Sequence, residues 1–127
     1  GNPVSSAIGL AVLNVIEQQK LQQNALDVGN YLLSELNLLK EKFEIIGDVR
    51  GQGFFLGIEL VDDQKNPLPK QTDYLINRMK DHGILMSSDG LDHNVLKIKP
   101  PLVFSKENAQ QLLWYLRKIL AEDYMNV

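Results

Sequence analysis

Apolar side chains near the start of the chain fall at Val4, Ala7, Ile8, Ala11, Val12, Val15 and Ile16, in steps of three and four that match the helical repeat. The spacing predicts a helix over 3–18, with Pro3 in the first turn, where its missing N–H is harmless, and Asn2 as the cap. A second stripe at Leu21, Ala25, Val28, Leu32, Leu36, Leu39 and Phe43 has polar residues on its other faces and predicts a separate long amphipathic helix.

The period then shortens. Residues 45–61, IIGDVRGQGFFLGIELV, are rich in β-branched and aromatic residues and are broken by glycines, which predicts two strands around a bend. Residues 62–70 (DDQKNPLPK) carry turn chemistry and two prolines, so they predict an exposed loop. Residues 72–82 predict a short helix with Tyr74, Leu75, Ile76 and Met79 inward, stopped by Gly83 in the left-handed conformation.

A brief strand over 84–86, a polar turn over 87–94 and a strand over 95–98 follow, and Pro100 and Pro101 end the last of them because neither can donate to a ladder. Ser105 with Glu107 opens a final helix whose stripe is Ala109, Leu112, Leu113, Leu116, Ile119 and Leu120. The predicted order is α, α, β, β, α, β, β, α. This is an α+β fold with a mostly antiparallel sheet of about four strands and helices mainly on one face. No linker splits residues 1–127 and no internal repeat is visible, so one compact domain is expected.

Composition narrows the function classes. A chain of 127 residues can bury a genuine core, and 44% hydrophobic with 23% charged residues is ordinary for a globular domain. The formal net charge of -3 and the lack of a Lys/Arg cluster give no general pull toward nucleic acid. Cys is absent, which removes disulfides, thiol nucleophiles and Cys-based metal sites. No apolar run approaches the roughly 20 residues needed to span a bilayer, and no signal-peptide pattern opens the chain. A soluble, cytoplasmic protein without a membrane partner is the expectation. The start at Gly1, without Met and directly into an apolar segment, is expected to be a cut through a longer chain.

Candidate chemistry is sparse. Of the two histidines, His82 sits at a predicted helix end, and His93 lies in a turn beside Asp89 and Asp92 that needs no function to explain it. Arg50, between Asp48 and the glycines of Arg50-Gly51-Gln52-Gly53, is more pointed. Its planar donor fork suits a carboxylate or phosphate; equally, it suits pairing with a structural carboxylate such as Asp48 or Glu59. Lys97 and Lys99 alternate with Leu96 and Ile98, so both are expected on one strand face. No Ser-His-Asp set, dinucleotide fingerprint or phosphate-cradling loop opening a helix is present.

Three segments, GNPVSSAIGLAVLNVIE, GDVRGQGFFLGIELV and VLKIKPPLVFSKENA, in this order, resemble the C-terminal part of class-III aminotransferases, fold-type-I enzymes that use pyridoxal 5′-phosphate. The resemblance covers essentially the whole chain. SSDG, HNVLKIKPP and GNPVS are also similar to the branch of ethanolamine-phosphate and 5-phosphohydroxylysine phospho-lyases. Such enzymes eliminate phosphate from a phosphorylated amine, whereas ordinary members transfer the amino group to a 2-oxo acid or aldehyde; in both, the cofactor is the electron sink.

The resemblance implies that residues 1–18 form an interdomain helix and residues 20–127 the lobe of a small C-terminal domain. Its partners would be the large domain of the same chain, a second subunit in a homodimer and a small-molecule amine. Lys97 falls where many family members carry an arginine that clamps a substrate carboxylate, and Arg50 falls on the RGxG segment near the active-site entrance, which makes both candidate substrate-binding residues. No catalytic, cofactor-binding or metal-ligating residue is assigned to this chain. The cofactor-bonding lysine would lie upstream of Gly1, leaving the fragment alone inactive, with Val4, Ile8 and Val15 as an apolar patch that drives self-association. A reading without the resemblance also stands: a free-standing α+β regulatory or ligand-binding module.

Overall fold

The computed structural model describes residues 3–127, with side chains from residue 15 onward. The expected cap at Asn2 and the side chains of Pro3, Val4 and Ile8 lie outside the described residues. Helix α1 runs unbroken over Pro3–Lys42, so the two expected N-terminal helices are one. The physical reason is local: Gln18, Gln19 and Lys20, between the two stripes, are good helix formers, and no glycine or proline interrupts them. The later stripe is buried as expected, with Leu32 and Leu36 fully enclosed, while Val15 and Ile16 are 52% and 42% exposed.

Strands β1 (Ile46–Gln52) and β2 (Phe55–Leu60) form a hairpin across the predicted bend. The pair Gln52 and Phe55 brackets Gly53 and Phe54. Gly53 has φ +55 and Phe54 does not share the positive φ, the pattern of a II′-type turn, which requires glycine first. Helix α2 (Pro69–Asp81) begins earlier than the spacing predicts, because Pro69 occupies the first helical turn, where its ring is preorganised. The Thr72 hydroxyl inside it is buried and donates to the Leu68 carbonyl at 2.9 Å.

Gly83, at φ +79, terminates α2 as expected. The N–H of Gly83 donates to the Lys80 carbonyl and that of Ile84 to the Met79 carbonyl, a Schellman closure. Here the strand expected over 84–86 is corrected: strand β3 is Ser87–Asp89. The Ile84 N–H is consumed by the helix cap, and β4 (Val95–Ile98) pairs its Lys97, Leu96 and Val95 with Ser87, Ser88 and Asp89. Helix α3 (Lys106–Leu120) opens at Ser105, whose hydroxyl accepts from the Asn108 N–H while the Asn108 side chain accepts from the Ser105 N–H. The capping partner is therefore Asn108, three residues into the helix, and not Glu107, which lies in the first turn where the dipole favours a carboxylate.

The sheet is antiparallel throughout, in the order β1-β2-β4-β3. Leu56, Ile58, Leu60, Leu96 and Ile98 enter one core with Leu32, Leu36, Leu75, Met79, Leu112 and Leu116 of the helices. Among the described residues the helices thus cover one sheet face and leave the other open, as the α+β expectation had it.

The C-terminal turn is latched onto α2. Arg78 grips the Glu122 carboxylate through Nε at 3.1 Å and Nη2 at 2.7 Å, and the Tyr74 hydroxyl donates to the same group. The Arg78 and Tyr74 hydrogen bonds hold the Glu122 carboxyl at about 2, below its ordinary 4.5. Since the folded value is the lower one, the stabilisation is present above pH 4.5 and is lost as pH falls toward 2. Glu122→Gln is expected to flatten the acid limb of a thermal-midpoint titration across that window; an acid limb identical to that of the unsubstituted chain refutes the latch.

Candidate functional site

Strand register brings the two expected site residues together. Arg50 pairs with Gly57 across β1 and β2, Gly57 pairs with Lys97 across β2 and β4, and Lys97 pairs with Ser87 across β4 and β3. Directly opposed residues point to the same side of a sheet, so Arg50, Gly57, Lys97 and Ser87 make one row on the open face. With strands about 4.8 Å apart, the Arg50 and Lys97 backbones stand about 10 Å from each other with glycine between them.

The row borders a cleft of about 330 Å³ lined by Arg50, Phe55, Gly57, Asp89, Val95 and Lys97, among others. The Lys97 ammonium stands 4.7 Å from the centroid of the Phe55 ring and 3.9 Å from an Asp89 carboxylate oxygen. The aromatic face of Phe55 favours the cation there. Arg50 is half exposed; its Nη1 donates to Asp48 at 2.8 Å and lies 3.9 Å from Glu59. Both structural carboxylates weighed for it thus face it. Among the described residues, its remaining N–H groups donate to no side chain.

The cleft offers two cations and one carboxylate, Asp89. Such a lining suits an anionic group laid between a fixed fork and a point charge, with Phe55 as an apolar wall. Phe55, Gly57 and Asp89 belong to this site and were missed in the sequence. The available signal was the alternation that puts Phe55 and Gly57 on the same strand face, opposite buried Leu56 and Ile58.

Other candidates fall elsewhere. Lys99 is exposed beyond the end of β4, sharing with Lys97 a smaller hollow of about 230 Å³ beside Leu85 and Ser87. His82 caps α2 and stacks on Tyr115 at 4.2 Å, and His93, at φ +52, closes the turn back to Gly90. Among the described residues no cluster of three metal-ligating side chains occurs, and no helix is long and apolar enough to cross a membrane.

The cleft alone does not fit a phosphorylated cofactor as a complete site. None of its lining residues lies at a helix N-terminus, and its one lysine, Lys97, cannot both bond the cofactor and hold an anion.

The family model for aminotransferase class-III matches residues 1–120. An alanine–glyoxylate aminotransferase 2-like protein of Drosophila melanogaster is 54% identical over 123 residues, covering 94% of this chain and 25% of that protein. Alanine–glyoxylate aminotransferase 2 homolog 2, mitochondrial, of Arabidopsis thaliana is 52% identical over 115 residues, covering 89% and 24%. Among solved structures, a phospholyase from Arthrobacter in complex with phosphoethanolamine superposes with a TM-score of 0.82 at 43% identity, over 95% of this chain and 29% of that one. The chain spans about a quarter of the length of the curated relatives it matches.

Proposed function

Because the chain belongs to the aminotransferase class-III family, we propose that it is the small C-terminal domain of a longer pyridoxal 5′-phosphate enzyme that acts on a primary amine carrying an anionic end. The cofactor is held by the rest of that protein, and α1 joins the two parts. The chain's contribution is recognition: Lys97 and Arg50 face the substrate's anion from the open side of the sheet. A homodimer, as the family resemblance implies, completes the assembly.

The row Arg50, Gly57, Lys97 carries this reading. A lysine in the row offers a compact point charge, suited to a phosphate that presents oxygens in several directions and less suited to the planar grip of a carboxylate. Phosphate elimination from a phosphorylated amine is therefore the preferred reaction, and the likeness to a phospholyase structure bound to phosphoethanolamine supports it. Amino transfer to a 2-oxo acid is the second reading, favoured by the 54% identity to a protein named as an aminotransferase.

The two reactions balance differently. Elimination and hydrolysis convert phosphoethanolamine and water into acetaldehyde, ammonia and inorganic phosphate, with no second organic substrate. Transfer returns the phosphate still esterified and moves nitrogen to the acceptor. The full-length protein, loaded with cofactor and given phosphoethanolamine alone, is expected to release phosphate and ammonia in equal amounts. Turnover that waits for a 2-oxo acid and frees no phosphate selects the second reading, and inertness with or without a 2-oxo acid rejects phosphoethanolamine as the substrate.

A further inference from the structure

The glycines of this chain are not equivalent. A Cβ on Gly29 would meet the backbone of Gly53, one on Gly51 would lie 2.8 Å from the Leu56 Cα and nearer still to the Phe55 carbonyl, and one on Gly47 would lie 2.5 Å from a Val61 methyl. Gly53, Gly83 and Gly90 hold positive φ values of 55, 79 and 89 that disfavour any side chain. Gly57 has neither constraint. Its backbone is ordinary strand, and a Cβ there would meet no backbone but a Val95 methyl at 3.3 Å, a tight contact that a side-chain shift of a few tenths of an ångström relieves.

Glycine in a strand interior loses packing and raises the entropy cost of folding, so a position where one side-chain methyl, and neither backbone nor φ, opposes a Cβ calls for a further reason. Gly57 lies in β2, an inner strand of the sheet, directly between Arg50 and Lys97, and lines the cleft that they share. A side chain at 57 would stand on the open face in the space between the two cations. Leaving it out brings backbone to the floor of the cleft and lets a ligand settle onto the sheet within reach of both.

We infer that Gly57 is a specificity-determining residue: its missing side chain is the notch that seats a compact tetrahedral anion, a phosphate group, between Arg50 and Lys97. The inference rests on the proposed anion-binding role of those two residues and adds what sets the size of the bound group. A methyl at 57 fills the notch and holds the anion away from one cation or the other. Steric exclusion of a methyl-sized volume from a fitted site weakens binding by roughly tenfold or more.

The test is calorimetric titration of the full-length protein with inorganic phosphate, alongside KM for phosphoethanolamine. Gly57→Ala is expected to weaken phosphate binding roughly tenfold or more and to raise KM for phosphoethanolamine in parallel, with the thermal midpoint nearly unchanged. Should the Val95 contact prevent folding, Gly57→Ala combined with Val95→Ala, referred to Val95→Ala alone, reads the same methyl group. Lys97→Met supplies the second arm. If Lys97→Met loses phosphate while the Gly57 variants bind it like the unsubstituted protein, the notch is overturned and the anion site stands. If Lys97→Met binds phosphate unchanged, or the unsubstituted protein does not bind it, the site and the notch fall together.

Discussion

Replacing Lys97 with methionine in the full-length protein is expected to lower kcat/KM for phosphate release from a phosphorylated amine by roughly 10- to 100-fold. The magnitude follows from the loss of one charge-assisted hydrogen bond, about 1.5–3 kcal/mol, at about 1.4 kcal/mol per factor of ten. The ammonium lies 4.7 Å from the Phe55 centroid and 3.9 Å from Asp89, so the apolar stem of methionine can occupy the same groove and the fold survives the change. Lys97→Arg separates charge from shape. It keeps the positive charge but replaces a point donor with a longer planar fork, and it is expected to lower phosphate release while improving the use of carboxylate-bearing amines. Lys99→Met, on the exposed residue beyond the strand end, serves as the control with a small effect. Steady-state phosphate release checks all three, and kinetics indifferent to Lys97 remove it from the substrate site.

Gly29→Ala is expected to destabilise the fold by about 2 kcal/mol or more, against the direction that helix propensity dictates. In an exposed helix interior the exchange gains roughly 0.5–1 kcal/mol, because glycine has more backbone freedom to lose. Here the turn of the β1–β2 hairpin rests on the helix: an added Cβ would lie 2.8 Å from the Gly53 Cα and closer still to its carbonyl oxygen. Neither element can yield cheaply, since Gly29 lies within a buried helical stripe and Gly53 is fixed by its turn conformation. Overpacking of this kind costs roughly 1–3 kcal/mol or more and outweighs the propensity gain. The exposed neighbour Asn30, changed to alanine, is expected to be neutral or mildly stabilising. Denaturant midpoints of the two variants decide the matter, and a Gly29→Ala chain as stable as its parent refutes the close approach. Because the same hairpin carries Arg50, a displaced turn is also expected to weaken anion binding.

Much of the fold was legible because it is local. The helical stripe from Leu21 to Leu39 and that from Ala109 to Leu120 mark faces that had to be buried, and the alternation Leu56, Ile58, Leu60 marks a half-buried strand. Gly83 announced the end of α2 through its own backbone preference. Three readings failed where a competing hydrogen bond or continuity decided. The Schellman closure took the Ile84 N–H from the expected strand, Asn108 rather than Glu107 answered Ser105, and nothing between Gln18 and Leu21 broke the first helix. The family, too, was legible, since three segments in order resembled it and a family model matches residues 1–120.

Residue order alone dictated which positions are apolar and hence an α+β chain, and it offered Arg50 by its donor fork and Lys97 by the family resemblance as candidate anion contacts. It did not determine that these two flank Gly57, that Phe55 and Asp89 complete the cleft, or that a hairpin turn lies on Gly29. Those facts depend on pairing between distant segments. A slip of one residue would turn each side chain to the opposite face, and only the packed core, by fixing which face is buried, selects the register that puts both cations in one row.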